Sequence, residues 1–439
     1  IAKYGSLLVL QIQSLRSAVA GGWHVCGSVS FSVVLLFFGL QLVGCLSMNF
    51  LRTATRRYSV MSTPMRSSEC SPFTNVVVSS MRKLYPEALA DKSFDNTGLL
   101  LEAPFDKSRI QTNSALLTID LTTAVADEAI KNRNSIVVAY HPIIFRGLKS
   151  LTFADSQQRS LLRLAQHGIS VYSPHTAVDT VPDGMADWLC DVVTGNIKQV
   201  QQTPNATIAP CASTMYSAPS YPEAPIPAVQ TQTSEGPGPA HTRSTIHPSP
   251  PSSIPEGFES AGAGRLVTFT ENQPLTTLID NIASGIGLPG GIPIAIPQGQ
   301  SVDDISVRTV GMCPGSGSGV LLKGDGELPD LLLTGEMSHH EALAATERGS
   351  VVISLSHTNS ERGYLRSVMR PKLLAEVKQQ WDAAFRDSVK TVDDLKKFDG
   401  VPSAAVLQIR DLYKDQGDVV VSVSETDRDP YGIMIWRGN

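Results

Sequence analysis

Apolar residues recur along this chain in short bursts that switch between two periods. The runs 115–119, 136–139, 169–172, 307–313, 331–333 and 351–355 are brief, rich in Val, Ile and Leu, and nearly free of charge. Such runs predict strands buried on both faces. Between them, stretches 122–131, 156–167, 275–286, 372–385 and 392–398 carry helical spacing. A further short helix is expected over 79–85, and further strands over 264–269, 292–296 and 419–423. Alternation of strand and helix predicts an α/β fold with a largely parallel sheet covered on its faces.

Two stretches break this pattern. From 201 to 262 the chain is crowded with Pro, Ser, Thr and Gly and has few large apolar residues. It reads as a disordered linker, because it offers too little apolar surface to offset the entropy of ordering. The expected divisions are therefore 1–70, a lobe over 71–200, the linker 201–262, a second lobe over 263–370 and an extension over 371–439.

The first seventy residues have no Asp or Glu before Glu69, while Lys3, Arg16, Arg52, Arg56, Arg57 and Arg66 are basic. An apolar run over 29–46 lies at the lower edge of a bilayer span, about 17–25 residues. Three readings stand: a membrane anchor, a secretory segment, or sequence upstream of the true start. Beginning at Met48 the chain opens like a mitochondrial transit peptide, and beginning at Met61 it reads as cytosolic. A membrane association is expected only if 29–46 is retained.

A net charge of -5 from 36 basic and 41 acidic residues gives no electrostatic case for direct nucleic-acid binding. The six cysteines, at 26, 45, 70, 190, 211 and 313, contain no Cys-x-x-Cys pair. Neither a zinc ribbon nor a disulfide framework is readable from them.

Chemistry gathers at strand ends. His141 stands just past one strand, followed by Pro142, which cannot donate to a ladder. His175 and Asp179 follow the next strand, and His357 and Glu361 follow a later one with the same spacing of four. Imidazole and carboxylate ligands delivered from several strand ends are how an α/β fold assembles a metal site. Without thiolates such a set suits zinc, manganese, iron or nickel. Glu336 with His339 and His340 forms a softer cluster. The glycine-rich loop from Gly315 to Gly319 lacks the lysine and spacing of a phosphate-binding fingerprint, which favours tight packing or a flexible turn.

The motifs His141-Pro-Ile-Ile-Phe145, Ser173-Pro-His-Thr-Ala-Val-Asp179, Thr334-Gly-Glu-Met-Ser-His-His340 and His357-Thr-Asn-Ser-Glu361 resemble the Nif-three-like family. Its name stands for NGG-one-interacting factor three, and it is also called GTP cyclohydrolase I type two. Asp95-Asn-Thr-Gly98 and Cys313-Pro-Gly-Ser-Gly317 fit the same pattern. The resemblance implies a two-lobed α/β fold with a dinuclear metal centre in the cleft between lobes, often in a toroidal hexamer. It implies His141, Asp179, His357 and Glu361 as ligands of one or two divalent ions, with His175 lining the site. Many bacterial members carry His-His-Pro where this chain has Tyr140-His141-Pro142. The missing imidazole implies a weakened second site, or one completed by His175 or water.

Together these point to a metal-dependent, hydrolase-like protein acting on a phosphate- or nucleotide-bearing small molecule, with His175 moving a proton and Glu361 or Asp179 bridging ions. The alternative is a regulatory scaffold, a partner of a transcriptional coactivator, whose metal site is structural or vestigial.

Overall fold

A computed structural model describes residues 71–105, 111–197, 238–287, 290–324, 326–395 and 418–434. The basic and apolar stretch 1–70 lies outside them, as does most of the expected linker. Among the described residues no helix is long and apolar enough to cross a membrane.

The first half opens with helix α1 (Pro72–Leu84), started by Ser71, whose hydroxyl accepts from the Thr74 N–H, and by a proline at the first turn. Strands β1 (Gly98–Leu101), β2 (Ser114–Thr118), β3 (Ile136–Ala139) and β4 (Ser170–Ser173) follow, with helices α2 (Thr123–Lys131) and α3 (Ser156–Gln166) between them. Thr122 and Asp155 cap α2 and α3 through their side-chain oxygens. Helices α4 (Thr176–Thr180) and α5 (Met185–Val193) close this half.

The second half contains β5 (His241–Pro248), β6 (Gly262–Pro274), α6 (Leu275–Gly285), β7 (Ile294–Ala295), β8 (Ser306–Ser316) and β9 (Leu331–Glu336). It continues with α7 (His339–Glu347), β10 (Val351–Ser354), the long helix α8 (Arg370–Leu395) and β11 (Val420–Val423).

Two sheets result. One has the order β1-β4-β3-β2-β11, parallel except for β1, and the other is mixed, in the order β5-β6-β8-β9-β10-β7. The period-two alternation of each strand sorts its residues between two cores. Ala115, Leu117, Ile136 and Val138 join Leu331, Leu333 and Ile353 in one apolar core shared by both sheets. Leu116 and Val137 face α2 and α3 instead, and Leu332 and Val352 face α7. Burial on both faces explains why these runs are continuously apolar.

Two expectations need correction, and a third finds its place. The stretch expected to be linker as far as 262 contains β5, which pairs with β6 from His241 to Pro248. Backbone pairing overrides composition there: β5 is an edge strand whose side chains are all exposed or half-exposed, and Pro248 sits at its last residue, where a missing N–H costs little. The two helices expected over 372–385 and 392–398 are one, α8, as far as Leu395. No Gly or Pro falls between 386 and 391 to break it. The strand expected over 419–423 forms from 420 to 423. It adds β11 to the first sheet, parallel to β2, with Val420 opposite Ser114 and Val423 opposite Leu117.

Candidate metal centre

Parallel ladders deliver the first ligand. Beyond β3 the Tyr140 and His141 N–H groups donate to Thr118 and Ile119 carbonyls, so the sheet continues into the Tyr-His pair until Pro142 stops it. Successive residues point to opposite sides. Tyr140 turns into the core, 2% exposed, and His141 turns toward the end of the second sheet.

There β10 ends in a strained turn. Ser356 has φ +69, and a 3-10 turn over Thr358–Ser360 brings Glu361 back over His357. Glu361 is buried, with its two oxygens shared between imidazoles: Oε2 lies 3.5 Å from His141 Nε2 and Oε1 lies 3.6 Å from His357 Nε2. His141, His357 and Glu361 thus offer ligand atoms within 4.8 Å of one another.

Each imidazole is fixed from behind. His141 Nδ1 is 2.9 Å from Asp120 Oδ1, and His357 Nδ1 is 2.7 Å from Glu336 Oε1. A carboxylate on Nδ1 leaves Nε2 as the coordinating nitrogen, the arrangement that orients histidine ligands. Gly315, with φ +61, makes room: a Cβ there would stand 2.7 Å from Glu361 Oε1 and 3.1 Å from His357 Nε2. Its N–H donates to Ser360 Oγ, which donates to the His357 carbonyl, so the glycine turn and the ligand turn are stapled together.

The electrostatics favour a cation. Burial opposes charge on His141, but the Glu361 and Asp120 carboxylates outweigh it and push its pKa up to about 10. Burial likewise opposes charge on Asp120, and the bond to His141 more than compensates, leaving its carboxyl below the ordinary range. Glu361 Oε2 is buried with no hydrogen-bond partner. A buried carboxylate oxygen without a donor is costly unless something positive meets it. The donor set, the orphaned oxygen and the glycine cradle all fit a divalent ion.

The two remaining expected site residues sit differently. Both oxygens of Asp179 accept from the Tyr140 hydroxyl, at 2.8 and 2.9 Å. Burial holds the Asp179 carboxyl well above its ordinary range, partly offset by that bond. His175, in a left-handed conformation with φ +38, keeps its ring 5.6 Å from that of His141. Its Nδ1 is 2.6 Å from Asp95 Oδ1, and Asp95 also accepts from Thr176. A strained non-glycine residue beside such a cluster is the kind of outlier found at functional sites.

A family model for Duf34/NIF3 (NGG1p interacting factor 3) matches residues 74–391. The chain belongs to the Duf34/NIF3 family. It is 40% identical over 297 residues to a Schizosaccharomyces pombe "Protein NIF3 homolog", covering 67% of this chain and 86% of that one. It is 34% identical over 309 residues to the Saccharomyces cerevisiae "NGG1-interacting factor 3", covering 68% and 90%. Among solved structures, a Bacillus cereus protein related to NIF3 aligns over 82% of this chain and 98% of its own, at 18% identity and a TM-score of 0.50. That likeness supports the mixed α/β fold.

Within this Duf34/NIF3 chain, several supporting residues carry little sequence signal. Asp120 lies just past β2 as His141 lies just past β3, and that shared position is the clue available. Asp427 and Asp429 give none. Asp427 Oδ2 accepts from the Ile119 N–H at 2.7 Å and pairs with Arg362 at 2.6 Å. Asp429 Oδ2 accepts from the Thr358 N–H and hydroxyl, at 3.0 and 2.9 Å. The segment after β11 therefore ties the turn bearing His357 and Glu361 to the end of β2.

Proposed function

We propose that this protein holds a divalent ion at His141, His357 and Glu361, where the ends of the two sheets meet, and works as a metal-dependent hydrolase on a small molecule bearing a phosphate group or a nucleotide. The observation that carries the reading is Glu361. It is buried, its Oε2 makes no close hydrogen bond and lies 3.5 Å from His141 Nε2, and it stands between two imidazoles whose far nitrogens are already occupied by carboxylates.

A bound ion would supply Lewis acidity and bring the pKa of a water it holds toward neutrality. Two imidazoles and one carboxylate form a donor set of catalytic zinc, and the same set suits ferrous iron; manganese and nickel remain within its chemistry. The residues around the set have separate tasks. Asp120 and Glu336 hold the histidine tautomers, and Gly315 keeps the approach to Glu361 open. His175, with Nδ1 engaged by Asp95, has Nε2 left to take and return a proton. Asp179 would be the further carboxylate for a second ion, and the Tyr140 hydroxyl on both its oxygens would compete with that role. One ion per chain is therefore the expected content. A homo-oligomer, hexameric by the family resemblance, and a cytoplasmic or mitochondrial location accompany this reading.

A second reading has its own support. The yeast relative is named an interacting factor, which favours a protein partner and a structural role for the ion. Metal content measured by mass spectrometry on protein purified without chelators tests the first reading, with His141→Ala beside it. One bound ion, lost in the variant while the circular dichroism spectrum is kept, supports the site. Folded protein that carries no metal and takes up none when it is added sinks the enzyme reading and leaves the partner reading standing.

A further inference from the structure

Beside the metal centre stand two aromatic rings that the chemistry above does not use. Phe94 is 52% exposed and Phe145 is 44% exposed. Single exposed apolar side chains are ordinary and call for no explanation. These two are paired, with centroids 6.3 Å apart at 40°. Both meet the His175 ring nearly edge-on, at 6.5 Å and 86° for Phe94 and at 6.4 Å and 83° for Phe145. His175 in turn meets His141 at 5.6 Å and 75°. One imidazole thus separates the pair from a metal ligand.

The pair is held from beneath. Asn96 Nδ2 donates to the Ile144 carbonyl, joining the two loops that carry the rings. Asp95, next to Phe94, is bonded to His175 and Thr176, and its N–H donates to the Asp91 carbonyl. The rings are therefore placed by the same residues that place His175, so a ligand settling on them meets a preorganised surface. Among the described ring contacts, both phenylalanines meet each other and His175 and no further ring, so the aromatic surface runs inward to the metal centre.

We propose that Phe94 and Phe145 form a shelf on which the substrate's planar aromatic or heteroaromatic ring stacks, while an oxygen-bearing substituent on that ring reaches the metal centre. The proposal rests on the metal-site reading and adds the substrate class to it. Quadrupole-matched ring contacts favour an aromatic face over a saturated one of equal size.

The test compares two probes on zinc-loaded full-length protein by calorimetry: 2-naphthoate and decahydro-2-naphthoate, which share a carbon skeleton and carboxylate but differ in aromaticity. Zinc per chain is measured on every sample. The expected result is about tenfold tighter binding of 2-naphthoate. In Phe94→Ala and Phe145→Ala that preference falls to within about twofold, with zinc content unchanged, because neither ring touches a ligand atom. Equal affinity of the two probes for zinc-loaded wild type would overturn the shelf. So would a preference that survives both substitutions, and so would variants that keep the preference but change the assembly's size, which would make the rings a face between copies. Wild type that binds no zinc would overturn the metal-site reading itself, a failure the zinc measurement separates from that of the shelf.

Discussion

Arg362 and Asp427 form an ion pair of 2.6 Å in which both side chains are largely buried. Arg362 immediately follows the ligand Glu361, and Asp427 also binds the backbone at the end of β2. The contact thus joins the two sheets within one residue of the metal centre. Removing one partner of a buried pair leaves the other charge uncompensated and costs about 3–5 kcal/mol. Asp427→Ala is expected to lower the unfolding free energy by about that amount and to weaken zinc binding as well. Denaturant titration and zinc competition against a chelator measure the two effects, and stability loss with unchanged zinc affinity would show that the brace does not position Glu361.

Gly315 offers a cleaner separation of fold from function. An added methyl would meet the tip of the Glu361 side chain, which can swing away, rather than backbone. Adopting φ +61 costs a non-glycine residue about 1 kcal/mol. Gly315→Ala should therefore stay folded with a small drop in melting temperature while its metal content falls sharply. Undiminished metal content would mean that Glu361 is not a ligand.

The carboxylates behind the imidazoles should matter in a graded way. Asp120→Asn and Glu336→Gln keep the shape but remove the charge that sets the histidine tautomers. Each is expected to weaken metal affinity about 10–100-fold, the range for such outer partners. Competition with a zinc chelator reads this out. Both substitutions having no effect would argue that Nε2 of these histidines is not what binds.

Metal uptake should release protons. Without an ion His141 is protonated at neutral pH, since its pKa is pushed to about 10, whereas coordination needs the neutral ring. Zinc titrations in buffers of different ionisation enthalpy should show release from the wild type at pH 7, and affinity that falls as the pH is lowered. Uptake with no proton release would place the ion elsewhere.

A last expectation concerns the docked end of the chain. Glu128 on α2 accepts from Ser424 Oγ at 2.5 Å, Thr426 Oγ1 at 2.7 Å and the Glu425 N–H at 3.2 Å. Burial opposes its charge, but these donors prevail and hold its pKa below the ordinary 4.5. A lowered folded pKa stabilises above the ordinary value and is lost as pH falls through the folded one. Hydrogen-exchange protection at residues 420–423, taken relative to free-peptide rates at the same pH, should therefore be high at neutral pH and drop only in acid, while Glu128→Ala should lower it at neutral pH. Exchange that is fast in the wild type at pH 7 would contradict a docked β11.

The sequence by itself determined the local matters. Buried strands such as β2, β3, β9 and β10 declare themselves because both faces must be apolar. His141, His357 and Glu361 stand out because each follows such a strand directly. Tertiary structure decided whatever depends on partners far along the chain. The polar edge strand β5 exists because β6 supplies its ladder, and no composition can report that. β11 chose the first sheet because β2 had an open edge there. Asp427 reaches Ile119 across 308 positions, so its role has no local signature. Tyr140 shows the limit most clearly: its letter records a missing imidazole, while only the fold assigns its hydroxyl to Asp179 and so leaves Glu361 as the carboxylate facing both histidines.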